Sequence, residues 1–436
     1  MTEGGDVEAP RRAAVRRTHR WEVGAVEIEA VLVALDVGTS KVVALVGEVT
    51  REGTVNIIGK GTAASNGLKK GQVINIEQTV ASIRTAVEAA ERLSGLRLEA
   101  AFVGVGGSHV ESLNSKGAVA VSGPHREVSR EDIERATEVA RAVTIPSNRE
   151  VLHVLPRDFT VDGQEGVKDP LGMSAVRLEV ETHIVHGSAT ALQNLTKCVR
   201  QAGVRVDELV VASLASGEAV LSETERDLGV AVADIGAGTT DLALYMEGSP
   251  FHTSVLPIGG INVTNDVAIG LKTNLSAAEQ LKIQVGTADP RSVDPDEQVP
   301  VELIGETDAR TALRLEVAEI IEARMRELFE KIGAEITRGG SAHRLPAGLV
   351  LTGGGSLLAG AAELGREVLQ MPVRVATPGG VAGLTDHLLV PSYSTAIGLL
   401  HWASRVVTSH EPQHFESAPA NASLSKMREW LKGLFP

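Results

Sequence analysis

Leu35-Asp-Val-Gly-Thr-Ser-Lys41 and Val232-Ala-Asp-Ile-Gly-Ala-Gly-Thr-Thr-Asp241 are two copies of one pattern in this 436-residue chain, and Asp36 of the first copy corresponds to Asp234 of the second. In each copy an apolar run typical of a strand buried on both faces ends in an aspartate and a glycine-containing turn, and a second apolar run returns at once. A third strand and a helix are predicted after each copy, at Val55–Ile58 and about Gln78–Leu93, and at Pro250–Leu256 and Val263–Leu271. The repetition predicts an internally duplicated α/β core in two lobes.

The segments around the two copies have a different pattern of predicted strands and helices. Short alternating strands and one charged helix over 97–185 predict a small α+β insertion in the first lobe. A helix over 186–200 and a buried strand over Glu208–Leu214 are predicted to lead into the second copy. The chain is therefore expected to divide into a disordered extension (1–27), a first-lobe core 1A (28–96, completed by 186–228 and 379–407), an inserted subdomain 1C (97–185), a second-lobe core 2A (229–272, completed by 339–378), an outer subdomain 2B (273–338), a flexible linker (408–422) and an amphipathic helix (423–436).

The composition of the turns indicates phosphate binding. Glycine allows the backbone conformations and the close approach by which N–H groups converge on a phosphate chain. The aspartates, Asp36 and Asp234, are predicted to hold Mg²⁺ through water, as Mg²⁺ prefers. A single Gly-Thr turn is most often only a turn, so the prediction depends on the two copies facing each other. The predicted phosphate-binding residues are Asp36, Gly38, Thr39, Ser40, Lys41, Asp234, Gly236, Gly238, Thr239 and Thr240.

A third glycine-rich loop follows another predicted buried strand, over 348–352. Backbone without side chains at Gly353, Gly354 and Gly355, followed by Ser356, would let a flat ring such as adenine lie against the chain. The alternative is a loop that only caps a helix.

Composition and charge exclude several classes of protein. With 42 Lys and Arg against 56 Asp and Glu the net charge is −14, which opposes non-specific binding to nucleic acid. The one cysteine, Cys198, excludes a disulfide framework or a cysteine zinc site and fits a reducing compartment.

The last 14 residues, Ser423–Pro436, place six apolar side chains on one face of a predicted helix, and Lys426, Arg428 and Lys432 lie beside or opposite that face. Such a helix is too short to be stable alone in water but can fold at a membrane surface. The alternative is docking on the protein's own core or on a partner. The predicted membrane-contacting residues are Leu424, Met427, Trp430, Leu431, Leu434 and Phe435.

The two turns, together with Ile258-Gly-Gly-Ile-Asn-Val-Thr-Asn-Asp266 and Leu351-Thr-Gly-Gly-Gly-Ser356, resemble the phosphate and adenosine motifs of the actin, Hsp70 and sugar-kinase superfamily. Within it the sequence is most similar to the bacterial FtsA family, over about residues 28–405. The resemblance implies a duplicated actin-like (RNase H-like) ATPase core that binds ATP and Mg²⁺. It also implies that Glu279 and Lys282 approach the ribose and adenine; the alternative is an ordinary exposed helical pair.

The same resemblance implies a cell-division protein on the cytoplasmic face of the cell membrane at the division site. Its implied partners are further copies of itself in filaments, the C-terminal peptide of FtsZ on 273–338, other division proteins through 97–185, and membrane lipids through the C-terminal helix; nucleic acid is not expected.

One position departs from the strongly hydrolytic members of the superfamily. Where they carry a Gln or Glu that orients the attacking water, this chain has Ala212-Ser213, and Glu218 and Glu223 are nearby only in sequence. We therefore expect no catalytic residue and at most slow ATP hydrolysis. The rival interpretations are a sugar-kinase-type phosphotransferase and an FtsA-like pilus-assembly adaptor of the PilM type.

Overall fold

The computed structural model describes residues 28–122, 124–302, 310–340 and 345–408. The predicted extension 1–27, the linker beyond Thr408 and the predicted helix 423–436, with its six membrane-contacting residues, lie outside the described residues. The strands are β1 (Ile28–Val37), β2 (Lys41–Thr50), β3 (Val55–Ala64), β4 (Leu68–Lys69), β5 (Gln72–Val73), β6 (Ala100–Val105), β7 (Glu111–Ala120), β8 (Arg149–Val161), β9 (Gln164–Val167), β10 (Arg177–Ser188), β11 (Arg205–Val211), β12 (Val230–Ile235), β13 (Thr240–Met246), β14 (Ser249–Leu256), β15 (Gln298–Val301), β16 (Arg310–Leu313), β17 (Leu349–Thr352), β18 (Val373–Val375) and β19 (Val381–Gly383). The α-helices are α1 (Ile76–Ser94), α2 (Arg130–Arg141), α3 (Ala189–Gln201), α4 (Ala212–Val220), α5 (Glu223–Leu228), α6 (Gly260–Leu271), α7 (Leu275–Gln284), α8 (Arg314–Arg338), α9 (Ala361–Leu369) and α10 (Ser394–Thr408).

Two sheets repeat one topology. The first has the order β3-β2-β1-β6-β11 with β19 added at its edge, and the second has the order β14-β13-β12-β17-β18. In both, the first three strands form an antiparallel meander, and the next two lie parallel to the central strand, β1 or β12. The predicted duplication of the core is confirmed. We call the first sheet with its helices the first lobe and the second sheet with its helices the second lobe.

Two apolar cores fill the lobes, and the core of the first lobe extends onto one face of the second sheet at residues such as Val232 and Tyr245. Fully buried Leu35, Leu45 and Ile83 belong to the core of the first lobe, and Leu242 and Phe329 belong to that of the second. Because the chain is poor in aromatic residues, small branched side chains fill most of both interiors. Among the described residues, no helix has the length and apolar composition needed to span a membrane.

The insertion in the first lobe is a separate α+β unit. Its sheet has the order β7-β10-β8-β9, and α2 packs on it over a small core of its own. Strand β7 was not predicted, because its side chains are mostly exposed or half-buried and show little apolar alternation.

Two boundaries before the second copy were predicted wrongly. The chain stays in β10 until Ser188 and the helix begins only at Ala189, and the strand expected over 208–214 ends at Val211, where α4 begins. Short apolar runs do not distinguish a buried strand from a buried helix, so only the packing of α4 between the two sheets decides its type.

Polar side chains join the insertion to the second lobe. The Ser112 hydroxyl donates to Thr253 O (2.8 Å) and accepts from Thr253 N–H (2.9 Å), while Asn114 Nδ2 donates to Phe251 O (2.9 Å). His183 is fully buried between Asn114 Oδ1 (2.8 Å from Nδ1) and Thr253 Oγ1 (2.9 Å from Nε2). Strands β7 and β10 are thus fixed to β14, the edge strand of the second sheet.

Residues after the second-lobe sheet return to the first lobe. Strand β19 pairs with β3, and α10 packs on α4 and β1. The helices α10 and α4 approach so closely that a Cβ on Gly398 would collide with the carbonyl oxygen of Ala215.

We expect Gly398→Ala to lower the free energy of unfolding by about 1–3 kcal/mol, because the added methyl group has no space between the two helices. Chemical denaturation measures the effect. Gly379→Ala is the control, since no described atom lies within 4 Å of a Cβ there. Equal stability of the two variants would contradict this packing.

We expect His183 to make the protein acid-sensitive. Burial, followed by the positive charge of Arg157, lowers the pKa of His183 to about 3, whereas an unfolded histidine titrates near 6.5. Between those values only the unfolded state binds the proton, so this stability is present above pH 6.5 and is lost as the pH falls, by up to about 1.4 kcal/mol per pH unit. His183→Gln should make the fall of unfolding free energy between pH 7.5 and 5.5 shallower. An unchanged slope in His183→Gln would refute the assignment.

Candidate functional site between the lobes

The two sequence-predicted turns have the same local structure. The Gly38 N–H donates to Lys41 O (3.1 Å), and the Gly236 N–H donates to Thr239 O (2.8 Å). Each turn follows the central strand of its sheet, since β1 ends at Val37 and β12 at Ile235. The topology therefore places both turns at the corresponding edge of each lobe.

The turns meet across a cleft. A Cβ on Gly238 would come within 2.8 Å of Thr39 Oγ1 and 3.1 Å of Lys70 Cα. Thr39 Oγ1 is itself held by the Gly71 N–H (3.2 Å). Glycine at 238 is what allows the second-lobe turn to approach the first-lobe turn this closely.

Three carboxylates, those of Asp36, Asp234 and Asp241, converge at this meeting point. Burial and the negative charge of Asp234 raise the pKa of Asp36 to about 7, although Lys41 lowers it. Burial and Asp234 likewise raise the pKa of Asp241 to about 7, although the Thr239 hydroxyl lowers it. Ionising these groups together is unfavourable until positive charge enters the cleft.

Asp234 also joins the lobes through hydrogen bonds. Its Oδ2 accepts from the hydroxyls of Ser216 (2.5 Å) and Thr395 (2.7 Å), which belong to first-lobe helices α4 and α10. Burial raises the pKa of Asp234, while these two hydrogen bonds lower it, and burial is the larger effect. Sequence reasoning assigned Asp234 to the phosphate and magnesium site and missed both hydroxyl partners, which come from other segments of the chain.

Asp241 was not among the predicted site residues. It is 5% exposed, Thr239 Oγ1 donates to its Oδ2 (2.9 Å), and its Oδ1 has no partner among the described residues. Its Oδ1 would lie 2.9 Å from a Cβ on Gly106, at the end of β6 in the first lobe. The available signal was its position directly after the predicted phosphate-binding residues Thr239 and Thr240, as the second residue of β13.

The remaining hydroxyls of the predicted set differ in their environment. Thr240 is fully buried and donates to Ile258 O (2.8 Å), and Ser356 Oγ donates to Gly353 O (2.7 Å), so both hydroxyls bond within the fold. Ser40 is exposed.

The triple glycine packs against the second turn. Gly353 has φ 80°, and a Cβ there would collide with Asp234 Oδ1, while a Cβ on Gly355 would collide with the side chain of Ile235. The Gly353 N–H donates to Pro391 O (3.1 Å), which lies just before α10. The loop is thus adjacent to the carboxylates and to the segment that returns to the first lobe.

Glu279 and Lys282 lie on the second-lobe side of the cleft. Lys282 Nζ donates to Glu279 Oε2 (2.6 Å), Thr264 Oγ1 (3.0 Å) and Gly260 O (3.3 Å), and the Gly260 N–H donates to Gly236 O (2.9 Å). The ammonium group of Lys282 is therefore linked through the start of α6 to the second turn. Its side chain is 15% exposed, so the alternative of an ordinary exposed pair does not describe Lys282.

The residues predicted to stand at the water-orienting position are an alanine and a serine. Ala212 and Ser213 are the first residues of α4, and Ser213 is fully buried. The carboxylate of Glu218 pairs with Arg226 (3.2 Å) and Arg405 (2.9 Å). Over the described ranges, no three His, Cys, Asp or Glu residues are grouped closely enough to hold a metal ion directly.

Comparisons with known proteins agree with the duplicated fold and its insertion. The family model described as "Cell division protein FtsA" matches residues 231–398, and that described as "SHS2 domain inserted in FTSA" matches residues 107–186. Among solved structures, the chain is similar to one titled "PilM-PilN type IV pilus biogenesis complex" (TM-score 0.62, 18% identity, 87% of this chain and 99% of that one). It is also similar to MreB5 of Spiroplasma citri bound to ADP (TM-score 0.50, 12% identity, 87% and 97% of the two chains). At these identities the structural likenesses show the fold alone.

Full-length sequence relatives decide the family. The chain is 44% identical to the cell division protein FtsA of Pseudomonas aeruginosa over 419 residues, which are 95% of this chain and 100% of the relative. This identity over nearly the whole chain supports the FtsA family over both the sugar-kinase and the PilM-type alternatives. The chain belongs to the FtsA family of cell division proteins and has the actin-like ATPase fold.

Proposed function

We propose that the chain binds ATP with Mg²⁺ between its lobes, polymerises, and anchors the FtsZ ring to the cytoplasmic face of the membrane at the division site. The observation that carries the nucleotide site is the contact between the two glycine turns, at Thr39 and Gly238, beside three carboxylates.

The chemistry of the cleft fits a magnesium-bound polyphosphate. Its glycines leave backbone open for phosphate oxygens, and Lys41 and Lys282 bring positive charge from opposite lobes. Asp36 and Asp241 have raised pKa values and Asp241 Oδ1 lacks a partner among the described residues, which suits a cation entering with the nucleotide. Since no direct ligand set is present among those residues, Mg²⁺ would be held through water by Asp36 and Asp234, as this ion prefers.

The bound nucleotide would join the lobes and so act as a switch on assembly. With alanine and serine at 212 and 213, and with Glu218 engaged by two arginines, hydrolysis would be slow at most.

The remaining elements of the proposal come from family membership and from the sequence. The outer subdomain, residues 273–338, would bind the FtsZ C-terminal peptide, and residues 97–185 would recruit other division proteins. One short amphipathic helix binds membranes modestly, so firm attachment would come from many copies in a filament.

We expect Gly238→Ala to weaken binding of ATP and Mg²⁺ roughly 10- to 100-fold, because a methyl group between the turns costs about 1–3 kcal/mol when the lobes approach. Isothermal titration calorimetry measures the affinity. Gly379→Ala is the matched control, and both variants should keep the wild-type circular dichroism spectrum. Wild-type affinity in folded Gly238→Ala would exclude the contact between the turns as the nucleotide site.

We expect Trp430→Glu to abolish co-sedimentation with vesicles of anionic and neutral phospholipid, as should truncation to residues 1–420, because the charge falls on the predicted apolar face. Ser425→Glu introduces the same negative charge on the predicted polar side of the helix, and this variant should still co-sediment. If the truncated protein pellets with vesicles as well as the full chain does, the membrane anchor lies elsewhere.

A further inference from the structure

Lys41, at the start of β2, has an unusual environment at the cleft. Its ammonium Nζ lies 3.5 Å from the centroid of the Tyr393 ring and donates to Ser392 Oγ (3.1 Å). Among the described residues, no carboxylate lies within salt-bridge distance of it. The positive charge therefore rests on an aromatic face and a hydroxyl, which stabilise it without neutralising it.

A second cation approaches the same ring. Lys60 Nζ lies 5.0 Å from the Tyr393 centroid. In the register of β2 and β3, Lys41 pairs with Ala64 and Leu45 with Lys60, so both lysines lie on one face of the sheet. The Tyr393 ring lies on this face, and the ammonium groups of Lys41 and Lys60 both lie over its electron-rich π surface.

The segment that carries Tyr393 is fixed at both ends. It is a short turn, Pro391–Tyr393, directly before α10, and the Tyr393 N–H donates to Val390 O (3.0 Å). Pro391 O accepts from the Gly353 N–H, which ties the turn to the triple-glycine loop of the second lobe. The ring is thus supported by both sides of the cleft.

We propose that Tyr393 is a positioning residue for Lys41: its ring holds the ammonium group ready for the phosphates of the bound nucleotide instead of letting it pair with Asp36. The inference rests on the proposed nucleotide site and adds a residue that the family motifs do not contain. Without the ring, Lys41 would turn toward Asp36, five residues before it at the end of β1, and be neutralised there.

The titration of the phenol agrees with this geometry. Burial alone would raise the pKa of Tyr393, but the charge of Lys41, a hydrogen bond with Thr62 and the charge of Lys60 together lower it. The other tyrosine, Tyr245, is buried in the second strand of the second sheet beside Arg226, and burial raises its pKa. Tyr245 is therefore a control for general effects of tyrosine substitution.

The first test is a double-mutant cycle on ATP affinity, measured by calorimetry. We expect Tyr393→Leu to weaken binding about tenfold, Tyr393→Phe to weaken it less than about threefold because the aromatic face remains, and Tyr245→Phe to leave it unchanged. In a Lys41→Met background, Tyr393→Leu should have no additional effect. An equal effect of Tyr393→Leu with and without Lys41 would mean a merely structural role and would overturn the inference.

The second test needs no nucleotide. The chain has two tyrosines, so in Tyr245→Phe the ultraviolet absorbance of tyrosinate reports Tyr393 alone. We expect Lys41→Met in this background to move the titration to higher pH, because the cation that favours the tyrosinate is gone. Unchanged titration would refute the contact itself. Shifted titration in a protein that binds no ATP would instead refute the proposed nucleotide site and keep the contact.

Discussion

The close approach of two glycine turns, one from each lobe, is the constraint on which the rest of this structure depends. Thr39 and Gly238 nearly touch, and three aspartates are brought together beside them. Such an arrangement is costly for an empty site, since negative charges with raised pKa values face each other in a poorly solvated cleft. A cation and a polyphosphate would relieve that cost. The carboxylates would therefore oppose the approach of the two lobes while the cleft is empty and favour it once the ligand is bound.

The contacts that surround this point show how the lobes are coupled. Ser216 and Thr395 donate from the first lobe to Asp234 of the second, and the Gly353 loop bonds to Pro391 just before α10. Helix α10 therefore begins at the cleft and runs back along the first-lobe core, which places the last described element of the chain next to the proposed nucleotide site. The inserted subdomain makes a separate connection, because Ser112, Asn114 and His183 bond to β14, the edge strand of the second sheet.

A large part of the fold and of the site could be predicted from local pattern. The apolar runs around Asp36 and Asp234 fixed the central strands because a strand buried on both faces needs uninterrupted apolar residues. The glycines of both turns were recognisable because few other residues permit the required approach. Strand β7 and helix α4 were not predictable in this way. Strand β7 is mostly polar because it lies in the small sheet of the insertion and contacts the second lobe through polar side chains. Helix α4 is a short apolar run, and only the elements packed around it decide whether such a run forms a helix or a strand.

By itself, then, the sequence determined the duplicated core, the two turns, the family and the residue types available for a phosphate and its metal. Only the tertiary structure decided which of them meet: that Asp234 bonds to Ser216 and Thr395, that Asp241 joins the carboxylate group, and that Lys41 rests on Tyr393. The reason is physical. Local pattern reports the period of burial along one segment, whereas these partners come from different segments of the chain, and their proximity follows from the packing of two complete lobes against each other.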